Sequence, residues 1–209
     1  GANLGQTLCK VKIVDRDRAY YAFEPNAACY AYLERLVLAN EWPAVTVFPC
    51  GLSDRAGMVP LHTTEDSEVS GLSSFLPAAH SRLTRTKLAA AFSYIELSRF
   101  VEPPVAFVKI DVEGGELEVL RGMSEMLRQH EPLIVVELLP QASLLERHHE
   151  TWALLESLGY EIFSVVLEPD KHWGGLRPMS SYALPEHVAM TQYLAISKSK
   201  RSVLDDAPR

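Results

Sequence analysis

Val105-Ala106-Phe107-Val108-Lys109-Ile110-Asp111-Val112-Glu113-Gly114-Gly115-Glu116 decides the fold. Its first half is an apolar run of strand length interrupted by one lysine. Its second half is a set of acids and a double glycine that open a helix from Glu116 to about Gln129, with Leu117, Leu120 and Met123 on one face. A buried strand that ends in acids and passes straight into a helix is the repeating unit of an open α/β sheet, where ligands bind outside the carboxyl ends of the strands. Asp111 and Glu113 therefore stand where a site belongs. The competing reading is capping alone, because Asp111, Glu113 and Glu116 all complement a helix N-terminus.

Lys109 lies inside the apolar strand and is expensive to bury without a partner. Glu137, in the apolar run Leu133 to Leu139, poses the same problem with opposite sign. If these strands are neighbours, either the two side chains pair or Glu137 faces the cleft.

Outward from this stretch, the chain keeps alternating between strand and helix patterns. Towards the N-terminus, Ala19 to Phe23 reads as a strand ending at Glu24-Pro25, and Ala27 to Ala39 as a helix with Asn26 as N-cap and Pro43 just beyond it. Val45 to Phe48 is the next strand, and the turn Asp54 to Gly57 leads into a short extended piece around Met58 to Leu61. Periodicity lapses from Thr63 to about Arg85, which predicts a loop, either ligand-covering or a plain surface insertion. Towards the C-terminus come a helix near Leu144 to Leu158, a strand from Tyr160 to Leu167 and a last strand from Gln192 to Ser197. Glu168 to Thr191, with its glycines, prolines and Trp173, reads as a long irregular connection. One domain over 1–198 and a polar tail over 199–209 are expected.

Composition narrows the function classes. The 209 residues carry 20 Lys+Arg against 27 Asp+Glu, a formal net charge of −7, and lack the basic footprint of a phosphate-tracking surface, so no nucleic-acid partner is expected. No apolar stretch reaches the length of a membrane span and no signal peptide opens the chain, which predicts a soluble, cytoplasmic protein with no membrane partner. The 3 cysteines, Cys9, Cys29 and Cys50, form no Cys-x-x-Cys pair and have no zinc-ligand spacing, so they read as small buried apolar residues. No metal site is predicted.

A second constellation opens the chain: Gly1-Ala2-Asn3-Leu4-Gly5, followed about twenty positions later by Glu24 at a strand end. In nucleotide-binding β/α units such glycines let the backbone approach a ligand, and the later acid accepts hydrogen bonds from ribose hydroxyls. The pattern is not the Gly-x-Gly-x-x-Gly of a pyrophosphate site, and a simple turn is the alternative reading.

Gly-Ala-Asn-Leu-Gly-Gln-Thr, Phe23-Glu24-Pro25-Asn26, Gly51-Leu52-Ser53-Asp54, Phe107 to Glu116 and Val135-Val136-Glu137 together resemble the FkbM-type S-adenosylmethionine-dependent methyltransferases in order and spacing. The resemblance runs from Gly1 to Leu139, and Lys-Ile-Asp-Val-Glu-Gly is its most specific part. It implies the class I methyltransferase fold, a Rossmann-like α/β architecture with a mostly parallel sheet and helices on both faces. It also implies S-adenosyl-L-methionine as cofactor. Gly1, Asn3 and Gly5 would lie under its methionine part, Glu24 with Pro25 at the ribose, and Leu52 with Ser53 beside the adenine. Asp111 would face the methionine end and the transferring methyl. The family motif is preceded by a strand that this sequence does not include, so an N-terminally truncated chain, its first central strand missing, is expected.

The resemblance further implies O-methylation of a small-molecule hydroxyl, on a sugar or natural product. Asp111, Glu113 and Glu137 are the acids expected to serve catalysis, since a hydroxyl acceptor must lose its proton to a base. Acceptor specificity is expected from Thr63 to Arg85 and Glu168 to Thr191, with Trp173 either a stacking face for a sugar ring or a packing anchor. His130, His148 and His149, on or beside helices, are expected to be solvated. Two other classes stay open: a fold kept as a non-catalytic binding domain, and a nicotinamide-dependent oxidoreductase.

Overall fold

In the computed structural model the described residues are 1–64, 73–76, 84–167, 173–184 and 191–204. The chain divides into two compact units, Gly1–Val101 and Glu102–Arg209.

The first unit opens with α1 (Gln6–Val14), β1 (Tyr20–Phe23), α2 (Ala27–Ala39) and β2 (Val45–Phe48). Asn26 caps α2 as its spacing predicts, its side chain accepting from the Ala28 N–H. The helix buries Cys29 and Leu33, one turn apart on the inner face. β1 and β2 pair in parallel with Phe23 opposite Phe48, and their rings stack with centroids 4.8 Å apart. A second sheet of the unit has the order β3-β6-β4-β5, formed by β3 (Gly51–Leu52), β4 (Gly57–Thr63), β5 (Ser73–Ser74) and β6 (Arg85–Phe92). The short α3 (Tyr94–Leu97) follows, closed at its start by a capping box between Ser93 and Glu96.

The second unit holds β7 (Phe107–Ile110), α4 (Glu116–Gly122), α5 (Ser124–His130), β8 (Leu133–Glu137), α6 (Leu145–Ser157), β9 (Tyr160–Leu167), β10 (Trp173–Met179) and β11 (Gln192–Ser197). Its sheet runs β10-β9-β11-β8-β7. The crossover through α6 leaves β8 and β9 parallel to each other, and β11 lies antiparallel between them. Ile134 and Val136 are buried on one face of β8. On the opposite face Phe163, Leu194 and Ile196 form a cluster against Leu133, Val135 and Leu176.

The mostly parallel sheet expected from the sequence is replaced by mixed pairing. Among the described residues β1-β2, β3-β6 and β7-β8 are parallel, whereas β4 with β5 and β6, β9 with β10, and β11 with β8 and β9 are antiparallel. The short connection between β9 and β10 cannot hold a crossover, and chain reversal there gives an antiparallel pair.

Three further expectations change. The segment Glu168 to Thr191 contains a strand, β10; it tolerates Pro178 because an edge strand can turn a missing N–H outward, and it absorbs Gly175 at φ 106° in a register shift. The single helix expected from Glu116 to about Gln129 is two, parted at Met123 just after Gly122, a poor helix former. The strand expected from Val105 begins at Phe107, because the Val105 N–H donates to His130 Nδ1 rather than into the ladder. The loop expected from Thr63 to Arg85 lies largely outside the described residues, though β5 falls within it. The tail is a 3-10 segment over Lys198–Leu204, and its remainder lies outside the described residues. Among the described residues no helix is long and apolar enough to cross a membrane.

Candidate active site

The opening turn of the first unit is built by backbone geometry. Asn3 has φ 50° and Gly5 φ 84°, so the chain bends through two left-handed residues before α1 begins. A Cβ on Gly5 would lie 2.9 Å from the Cδ2 atoms of both Leu33 and Leu36 on α2, so the position takes glycine for conformation and for space. Glu24, only 4% exposed at the end of β1, ties the turn down. Its Oε2 accepts from the Asn3 N–H at 2.7 Å and its Oε1 from the Asn26 N–H at 2.9 Å. One carboxylate thus joins the glycine turn to the start of α2. Pro25 lies between those contacts and is half-buried.

At the corner after β2, Leu52 pairs with Phe92 and the Ser53 N–H donates to the Phe92 carbonyl at 2.9 Å. Gly51 is pressed against Phe75, whose ring a Cβ would meet at 2.6 Å. Cys29 and Cys50 are buried as expected, and burial pushes both thiols up to about 11, opposite to the lowered pKa of an activated thiol.

In the second unit β7 and β8 are parallel neighbours with Lys109 opposite Val135, so Lys109, Asp111 and Glu137 project from one face of the sheet. The lysine does not take Glu137 as its partner. Lys109 Nζ bonds Asp111 Oδ2 at 2.6 Å, two residues along its own strand face. Glu137 instead accepts from Thr191 Oγ1 at 3.0 Å. Burial first, then the Asp111 charge, raises the Glu137 carboxyl above its ordinary range; Thr191 and Lys109 oppose that rise, and Glu113 adds to it. Three carboxylates and one ammonium thus share the strand ends. Glu113 stands at φ 57° and Gly114 at φ 103°, a second left-handed turn at the head of a helix.

The Methyltransferase FkbM domain profile matches residues 1–162, which takes in both of these turns. The chain belongs to the FkbM methyltransferase family. It is 29% identical to Methyltransferase sdnD of Sordaria araneosa, over 78% of this chain and 72% of that protein. It is 31% identical to Hexuronic acid methyltransferase AglP of Haloferax volcanii, over 66% of this chain and 53% of that protein. Among solved structures, an FkbM methyltransferase from Methylobacillus flagellatus KT shares the fold with a TM-score of 0.55 at 17% identity, over 93% of this chain and 41% of that one. The chain therefore spans about half of the second relative's length and less of the solved one.

Several residues around these FkbM motifs were not singled out for a site by sequence reasoning. In the sequence Glu116 has only the pattern of a helix-start acid, yet it is buried and hydrogen-bonded to the turn before it. Thr191 had no signal, since its partner lies across the β8-β11 pairing. His148, expected to be solvated, is 1% exposed, donates from Nε2 to the Leu139 carbonyl at 2.8 Å and has its pKa lowered by burial. It sits on the inner face of α6, one turn before Trp152. His62 meets Thr86 Oγ1 at 3.1 Å, while His80 and His172 lie outside the described residues.

Proposed function

We propose that this chain is an S-adenosyl-L-methionine-dependent methyltransferase that acts on a hydroxyl of a small molecule, a sugar or natural product. The observation that carries the reading is the cluster Asp111, Glu113 and Glu137 beyond β7 and β8, inside the segment matched to the methyltransferase family.

The chemistry of the first unit suits the cofactor. Each oxygen of the Glu24 carboxylate accepts one backbone N–H and has a second lone pair, the acceptor set that a ribose diol needs. Gly1, Asn3, Gly5 and Pro25 would border the methionine and ribose, and Leu52 with Ser53 the adenine. When bound, S-adenosylmethionine supplies an electrophilic methyl group on a sulfonium.

The chain's own residues then have two tasks. Alignment of the acceptor oxygen is the larger, since orientation contributes up to about 7 to 11 kcal/mol in favourable cases. Proton removal is the second. Glu137, with its carboxyl raised by burial and by the Asp111 charge, takes the acceptor's hydroxyl proton. Asp111, held by Lys109, and Glu113 are the carboxylates whose charge complements that of a sulfonium. The hexuronic acid named for the Haloferax relative supports a sugar acceptor.

The test is transfer of a labelled methyl group from S-adenosylmethionine to a panel of hexuronic acids and glycosides. The expected product is a methyl ether on one sugar hydroxyl, with turnover lowered about 100-fold or more in Glu137→Gln. Full turnover in Glu137→Gln contradicts its role as the base.

A further inference from the structure

We infer that Glu116 is a positioning residue for this chemistry: its buried carboxylate holds the turn from Val112 to Gly115 in the shape from which Asp111 and Glu113 project. The inference rests on the methyltransferase reading above, which gives those two acids their work.

Glu113 and Gly114 are consecutive left-handed residues, and a residue with a Cβ adopts that conformation only when its surroundings enforce it. Glu116 contributes to that enforcement. It is 2% exposed, and its Oε1 accepts from the Gly114 N–H at 2.9 Å and the Val112 N–H at 3.4 Å. These are the two amides that flank Glu113. From the other side Arg147 on α6 donates from Nε to the Gly114 carbonyl at 3.4 Å, while its Nη2 pairs with Glu118 on α4. The turn is gripped by a carboxylate at its N–H groups and by a guanidinium at its carbonyl.

Burying a carboxylate to satisfy two amides is a costly device where a helix start needs only a surface cap. The position of Glu116 is explained by what the turn carries. Asp111 precedes Val112, and Glu113 lies between the two bonded amides, so both carboxylates take their direction from the backbone that Glu116 fixes.

The test uses the full chain with S-adenosylhomocysteine as calorimetric probe, in wild type, Glu116→Leu, Glu116→Gln, Asp111→Asn and the double variant Glu116→Leu/Asp111→Asn. The expected result is a loss of affinity of about tenfold or more in Glu116→Leu and rescue to within about threefold in Glu116→Gln, which keeps an acceptor oxygen. The double variant is expected to bind no more weakly than Asp111→Asn by over about twofold, because the two substitutions break one device. Affinity within about threefold of wild type in Glu116→Leu, or losses that multiply in the double variant, overturns the role. Amide exchange in Glu116→Asp, where the shortened side chain withdraws the acceptor, gives a readout independent of the leucine variant's folding. Exchange at Val112 and Gly114 is expected to quicken about tenfold or more while Ile134 and Val136 stay protected, and unchanged exchange overturns the clamp. If wild type itself does not bind the probe, the methyltransferase reading fails and takes the positioning role with it; binding by wild type that is indifferent to Glu116 removes the positioning role alone.

Discussion

The backbone N–H of Asn3 donates to Glu24 Oε2 at 2.7 Å, so the acid proposed for the cofactor ribose is also the post around which the opening turn folds. The observed structural role and the proposed cofactor role of this carboxylate are separable in its variants. Glu24→Ala leaves two backbone donors without their acceptor, at about 1–3 kcal/mol for each that stays buried. Thermal unfolding is expected several degrees below wild type, with S-adenosylhomocysteine binding lost. Glu24→Gln keeps one acceptor oxygen and is expected to unfold between the two. A Glu24→Ala protein with wild-type stability contradicts the tie between Asn3 and Glu24.

Gly5 offers a sharper test of the same turn. With φ 84° and a Cβ only 2.9 Å from Leu33 and Leu36, Gly5→Ala is expected to cost about 2–3 kcal/mol. Gly57→Ala, where a Cβ meets nothing within 4 Å, is the control and is expected to stay within about 0.5 kcal/mol. Urea midpoints of the two variants, at equal slope, check the contrast.

Lys12 anchors the end of α1 from inside. Its Nζ donates to the carbonyls of Arg16, Arg18 and Pro43 at 2.7 to 2.8 Å, and burial lowers its pKa. Lys12→Met fills similar space but orphans three acceptors, and a loss of about 2–4 kcal/mol is expected in calorimetric unfolding. Lys12→Arg is not expected to rescue it, because a planar fork cannot reproduce the compact ammonium.

Glu116 gives a pH prediction. Burial pushes its carboxyl up to about 7, against the N–H groups of Gly114, Glu116 and Val112 that favour its charge. The folded chain therefore holds a proton there that the unfolded chain releases nearer pH 4.5, and stability falls as pH rises between those values. Glu116→Gln has no such proton. The difference in melting temperature, variant minus wild type, is expected to become more positive from pH 5 to pH 8; a constant difference contradicts the raised carboxyl.

Much of this could be read in the sequence where the cause is local. Asn26, the apolar spacing behind it and Pro43 predict α2, and the helix runs Ala27–Ala39 as they require. Strand spacing also placed β2, β9 and β11. The Lys109-Asp111 pair is legible too, since a period of two puts both on one strand face, although the apolar strands that hold Lys109 and Glu137 point to Glu137 as the partner. Strand direction was not legible, because pairing β11 between β8 and β9 is decided by distant contacts. β10 was hidden by Gly174, Gly175 and Pro178, which mark loops except at a sheet edge. The clamp on Glu116 and the burial of His148 depend on which face of a helix meets the sheet, and neither carries a motif.

The most direct test of the central claim is calorimetric titration of the full chain with S-adenosylhomocysteine and, separately, with NADH. The account predicts saturable binding of the first alone, abolished in Glu24→Ala. Binding of NADH in preference to S-adenosylhomocysteine, or no binding of S-adenosylhomocysteine by folded protein, would contradict it.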